Sequence, residues 1–100
     1  VSAYLIFHNR ILDAEKLQAY VEKAIPTLME HKAEILVVDE NSEVVEGPTS
    51  LPRTVIIKFS SREAAMDWYN SPEYQAILPE RLAATEGFAV VCDEFVFPSA

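Results

Sequence analysis

The sequence predicts an α+β domain with the element order β-α-β-β-α-β. Three observations point there. Four segments show the apolar runs or two-residue alternation of strands: "AYLIFHNRI" at 3–11, "EILVVD" at 34–39, "RTVIIKF" at 53–59 and "FAVVCDEFVF" at 88–97. Two stretches between them repeat apolar residues at helical spacing. The whole chain is 100 residues, the length of one domain.

In the first strand Leu5, Phe7 and Ile11 share one phase and Tyr4, Ile6, His8 and Arg10 the other. The odd phase is the cleaner core face, with Asn9 as its exception. Asp13 reads as a helix N-cap, and Glu15 sits in the first turn, where the helix dipole favours an anion. Leu17, Val21, Ala24 and Leu28 then recur at helical spacing with Tyr20 beside them. Pro26 falls inside this pattern, so a kink is expected near residues 22–26 and an end near His31 or Lys32.

The apolar run 34–39 is the second strand, "ENS" at 40–42 a turn, and "EVVEG" at 43–47 a return to extended chain. Pro48 and Pro52 flank a polar loop. In the third strand Val55, Ile57 and Phe59 share one face, and Thr54, Ile56 and Lys58 the other. Ser60 and Glu63 have capping-box spacing ahead of a helix running to about Tyr69, with Ala64, Ala65 and Trp68 inward. Ser71-Pro72 opens a new turn, since proline suits the first helical position. Pro79 is expected to open another short helix carrying Arg81 and Leu82, which Gly87 ends before the last strand.

Helices on one face of a four-stranded antiparallel sheet of order 4-1-3-2 form the compact, ferredoxin-like solution to this order. Such a sheet keeps one face bare. Here that face is apolar, with Ile6, Ile56 and Val90. Exposed apolar surface costs roughly 25 cal/mol per Å². A second copy is the natural cover, giving an isologous homodimer in which two sheets close into a barrel-like pair.

Sixteen acidic against eight basic residues give a formal net charge of −8, which repels a phosphate backbone and an anionic membrane surface alike. Neither nucleic acid nor membrane is therefore an expected partner. Cys92 is the single cysteine, so no intrachain disulfide can form and a reducing compartment is the simple reading. No apolar run is long enough to span a bilayer, and no basic segment leads into a signal-like apolar run. Val1 stands where an initiator Met would, so residues removed ahead of it are expected. A cytoplasmic protein is the reading, with a cleaved leader left open.

The stretch "WYNSPEYQAILPERLAAT", 68–85, carries an aromatic-Tyr pair, one variable residue, Ser-Pro-Glu-Tyr and a downstream Arg. With Trp68, Tyr69, Ser71, Pro72, Glu73, Tyr74 and Arg81 in those places, it resembles the dimeric α+β barrel superfamily. Specifically, it is similar to the uncharacterised domain-of-unknown-function family numbered thirteen-thirty. "AYLIF", Tyr20 and Pro26, "EVVEG" and "VIIKFSSREAA" extend the resemblance over nearly the whole chain. There are departures. Lys32-Ala33-Glu34 stands where that family usually has a Gly-Gly pair with an Arg, Lys58 where an acid is usual, and Ala14 where Pro is common. A ligand contact through that Arg or that acid has no counterpart here. The resemblance implies a superfamily that includes cofactor-free monooxygenases, lactone isomerases, dehydratases and haem-dependent enzymes. These tend to hold small molecules between sheet and helices, but the family itself has no established reaction.

Several residues are candidates. Trp68, Tyr69 and Tyr74 either fill the gap between helix and sheet or wall a small-molecule pocket with their hydroxyls inward. Arg81 is a clamp for a carboxylate or enolate, or else a salt-bridge partner of Glu73, Glu80 or Glu46. His8 is a proton carrier, or a histidine at the polar end of its strand or in a dimer seam. Glu46 is an orienting acid that meets Arg81 or Arg53, with Gly47 supplying a positive φ. His31 suits the helix C-terminus as a cation and needs no other role. Cys92 next to His8 suggests a thiolate pair or a metal, yet nothing near it has zinc-ligand spacing, and a small buried hydrophobe is the plainer reading. Neither a metal nor an organic cofactor is expected.

Two functions stay open at this point. One is a cofactor-independent enzyme acting on a small carbonyl-containing or aromatic molecule, with Arg81 as anion clamp, His8 as proton carrier and Trp68, Tyr69 and Tyr74 as walls. The other is a ligand-binding or structural dimer without chemistry, because no nucleophile–base–orienter set can be named.

Overall fold

The alternation of the first strand is realised as β1 (Ala3–Ile11), with Ala3, Leu5, Phe7 and Asn9 buried and the residues between them half-buried. The computed structural model describes residues 1–48 and 51–99. It continues with α1 (Ala14–Glu30), β2 (Glu34–Asp39), β3 (Arg53–Phe59), α2 (Arg62–Tyr69), α3 (Pro72–Ala84) and β4 (Thr85–Asp93). The four strands form one antiparallel sheet of order β2-β3-β1-β4, the expected 4-1-3-2 arrangement.

The Asp13 carboxylate accepts the Lys16 amide at 3.1 Å and so starts α1. The helix runs unbroken through Pro26 to a cap at His31. Lys32 follows in the left-handed region (φ 58°), which turns the chain into β2 and lets the Ala33 amide reach the Leu28 carbonyl at 3.0 Å. α1 buries Leu17, Tyr20, Ala24 and Leu28 and packs along α3.

Four boundaries differ from expectation. Residues 43–47 are not a strand. The Ser42 amide instead closes the connection by bonding the Pro52 carbonyl at 2.8 Å. Part of the polar loop between Pro48 and Pro52, residues 49–50, lies outside the described residues. The N-cap of α2 is Ser61, whose hydroxyl accepts the Ala64 amide at 3.0 Å, one residue past the expected Ser60. Pro79 does not start a new helix. α3 continues through it, because the turns on either side are held by tertiary packing.

The fourth difference is the last strand, which starts at Thr85 rather than Phe88, so Gly87 lies inside β4 and does not end a helix. Its role there is close approach. A Cβ on Gly87 would stand 2.2 Å from the His8 carbonyl oxygen and 2.6 Å from the Asn9 Cα.

The core lies between the odd phase of the sheet and the three helices. Trp68, Tyr74, Phe59 and Asn9 are its largest fully buried side chains. Trp68 stacks 4.0 Å from the Tyr74 ring and 5.8 Å from Phe59, and its indole N–H donates to Thr27 Oγ1 at 2.9 Å. That bond ties α2 to α1. The other face of the sheet carries a row of aliphatic side chains across all four strands: Val90, Ile6, Ile56 and Val37, paired in register. Phe88 and Val90 on this face are about half exposed, at 54% and 47%.

Candidate functional site

The site is built by three elements whose inner residues converge under α1. Ser71 caps α3 by accepting the Tyr74 amide at 3.2 Å while its own hydroxyl donates to the Trp68 carbonyl at 2.7 Å. That fixes where the helix begins, and with it the inward aim of Tyr74 and, two turns on, Arg81. Both are buried. On α1, Tyr20 comes down from the opposite side, and its hydroxyl oxygen lies 2.6 Å from that of Tyr74. Arg81 Nε donates to the Tyr74 hydroxyl at 3.2 Å, and its guanidinium sits 5.0 Å over the Phe7 ring. A hydrogen-bonded chain Arg81–Tyr74–Tyr20 results.

Beside it opens a cavity of about 570 Å³ between α1 and the β3–β2 half of the sheet. This is a volume suited to a small organic molecule. Leu17, Val21, Ile35, Val38 and Val55 give it apolar walls, while Gln18, Tyr20, Glu22, Glu40, Arg53 and Arg81 are its polar residues. Tyr74 does not reach the cavity. It stands behind Tyr20, fully buried.

Electrostatics follow from this burial. Burial pushes the Tyr20 hydroxyl far above the usual phenol range; Tyr74 beside it adds to the shift, and Arg81 opposes it. Tyr20 therefore keeps its proton. Burial works against the charge of Arg81, but the Tyr74 oxygen and then Tyr20 outweigh it and raise its pKa. Arg53 is different. Burial lowers its pKa, Glu40 offsets this in part, and Arg81 is close enough to repel it.

Of the residues singled out in the sequence, Trp68 and Arg81 line the cavity. Tyr69 is half-buried outside it, with its ring 5.5 Å from Tyr74 and its carbonyl accepting Gln75 Nε2 at 2.6 Å. His8 lies on the other face of the sheet, 5.7 Å from the Phe88 ring and 3.3 Å from Thr54 Oγ1, so the fold separates it from Arg81. Glu46 is exposed in the 43–48 segment, and the acid beside Arg53 is Glu40, at 3.8 Å. Arg81 meets no carboxylate among the described residues, and Glu80 pairs with Lys23 at 3.0 Å. Cys92 pairs with Tyr4 across β1 and not with His8. Among the described residues no three His, Cys, Asp or Glu side chains gather as metal ligands.

Sequence reasoning missed Tyr20, Arg53 and Glu40 as site residues. For Arg53 the signal was present. It shares the phase of Val55, Ile57 and Phe59, so the period of two already put it on the core face.

A cavity roofed by helices over an antiparallel sheet of this order, with the opposite sheet face apolar, is the arrangement of the dimeric α+β barrel proteins. Solved structures agree on the fold. A protein of unknown function from Rhodopseudomonas palustris, RPA0582, is 16% identical with a TM-score of 0.80, the match covering 95% of this chain and 83% of that one. A putative antibiotic biosynthesis monooxygenase from Caulobacter crescentus is 11% identical with a TM-score of 0.63, covering 95% and 91%. SnoaB, a cofactor-independent oxygenase from Streptomyces nogalater, is 6% identical with a TM-score of 0.58, covering 96% and 93%. Among curated proteins no sequence matches. The chain belongs to the family described as domain of unknown function DUF1330, whose model matches residues 2–95. No helix among the described residues is long and apolar enough to cross a membrane.

Proposed function

We propose that this protein is a cofactor-independent enzyme acting on a small carbonyl-containing or aromatic molecule held between α1 and the sheet. The observation that carries this reading is the Arg81–Tyr74–Tyr20 chain ending at a cavity wall. With Tyr74 accepting from Arg81 and donating to Tyr20, the Tyr20 O–H is directed at a bound oxygen. A guanidinium lies behind it. A donor backed by a buried cation stabilises the negative charge that grows on a carbonyl or phenol oxygen as the substrate becomes an enolate or phenolate. The folds shared with a cofactor-independent oxygenase and a putative monooxygenase support chemistry of this type without transferring any residue.

The test is deuterium uptake from D₂O into cyclic diketones, together with oxygen consumption on enolisable ketones and phenols. Tyr20→Phe and Arg81→Met should each lower the rate about a hundredfold, the usual worth of one oxyanion donor. Saturable binding with no exchange and no oxygen uptake would favour the second reading, a ligand-binding dimer without chemistry. That reading draws on the position of His8 outside the cavity, which leaves no imidazole base beside Arg81.

The working unit in this proposal is a homodimer closed through the Val90, Ile6, Ile56 and Val37 row. The support is the apolar character of a face that a lone chain leaves to water. Light scattering at micromolar concentration should give twice the chain mass, and Val90→Arg should halve it. The single free cysteine, Cys92, supports a cytoplasmic setting.

A further inference from the structure

The chain carries a net charge of −8, yet two guanidiniums line one largely apolar cavity, each only 8% exposed. The acid nearest Arg53 is Glu40, whose side chain is 57% exposed and whose oxygen stands 3.8 Å from Arg53 Nε, beyond hydrogen-bonding reach. Arg53 Nε is buried with no hydrogen-bond partner. On β1, in register with Arg53 of β3, Asn9 is 2% exposed, and both its amide nitrogen and oxygen lack a partner. Buried polar groups are nearly always satisfied, so an unmet guanidinium N–H at a cavity wall points to an acceptor that meets it there. Of these two residues only Arg53 lines the cavity, and its unmet Nε–H is a cationic donor, whereas the Asn9 amide is neutral.

We propose that the cavity binds a carboxylate with an apolar body, its carboxylate held between Arg53 and Arg81. This names the ligand class of the cavity invoked above and rests on that reading only for its place. The planar fork of arginine matches a carboxylate with two parallel N–H···O bonds. Leu17, Val21, Ile35 and Val38 then cover the hydrocarbon part. A phosphate dianion fits less well, because Glu22 and Glu40 both border the opening. Glu40 in this scheme is a weak competitor that the ligand carboxylate displaces from Arg53.

The experiment is calorimetric titration of the full chain with benzoate, 3-phenylpropionate and octanoate, each against its primary amide. The acids are expected to bind roughly tenfold or more tightly than the matching amides, a difference of about 1.4 kcal/mol for tenfold. Arg53→Gln should shrink that preference, with acid binding falling by more than amide binding. Glu40→Gln, a change at the exposed rim that spares the core, should tighten acid binding. Equal binding of acid and amide, no acid binding at millimolar concentration, or a Glu40→Gln variant that binds acids more weakly would each overturn the proposal. Turnover of a neutral ketone without acid binding sinks the carboxylate and leaves the catalytic reading standing. Acid binding without any turnover does the reverse.

Discussion

Tyr74→Phe isolates the hydrogen-bonded chain from the packing around it. The substitution deletes one oxygen from a side chain that is fully buried and leaves its ring stacked 4.0 Å from Trp68. That oxygen has two partners, Tyr20 Oη at 2.6 Å and Arg81 Nε at 3.2 Å. A hydrogen bond to a charged group contributes about 1.5–3 kcal/mol and a neutral one about 1. Tyr20 borders the cavity, where water recovers part of its loss, but Arg81 Nε is left without its acceptor. The expected cost is about 2–3 kcal/mol. For a domain of this size that lowers the Tm by roughly 8–24 °C. Urea unfolding followed by circular dichroism, at one fixed protein concentration, measures it, and an unchanged m-value licenses the comparison. Because one bond joins the two phenols, Tyr20→Phe should cost less in the Tyr74→Phe background than alone, with a coupling of about 1 kcal/mol. A Tyr74→Phe cost below about 0.5 kcal/mol, with no coupling, would refute the chain as described.

Gly87→Ala should be among the most damaging single changes, at about 3 kcal/mol or more, since the added Cβ meets backbone of β1 that cannot rotate away. Urea titration reads it, and a loss under about 1 kcal/mol would mean that the β1–β4 spacing is looser than described. Lys32→Gly should gain about 0.5–1 kcal/mol by relieving a left-handed residue at the end of α1. A lower Tm would contradict it. Alkali gives a pH test. The folded chain holds the Tyr20 proton more tightly than the unfolded chain does. Its contribution is therefore complete below about pH 10 and falls as pH rises beyond it, with a slope approaching 1.36 kcal/mol per pH unit. The difference between wild type and Tyr20→Phe should carry that slope, and parallel curves would show that Tyr20 is not held as described.

Strand positions and sheet order were legible because β1 and β3 alternate cleanly between a core and an open face. The start of β4 was placed three residues late because glycine usually punctuates a chain. Here Gly87 answers to a neighbouring strand that no local pattern announces. Pro79 misled for the same reason, since the packing of α3 on α1 outweighs one missing hydrogen bond. In the site, Arg81 and Trp68 were visible through their motif, whereas Arg53 was missed although its phase put it on the core face. The pairing of Tyr20 with Tyr74 spans 54 positions and depends on how two helices lean together, which periodicity does not encode.

The segment from Trp68 to Arg81 closes the interior and supplies one of the two guanidiniums of the cavity. Mutational drift in that stretch is therefore taxed twice, in folding and in the shape of the cavity. The opposite wall is freer. Ile35 and Val38 sit on the edge strand β2, 40% and 58% exposed, and can change size at small cost to the fold. Descendants of this scaffold that accept new molecules should differ first along that rim, with the tryptophan–tyrosine–arginine side inherited intact.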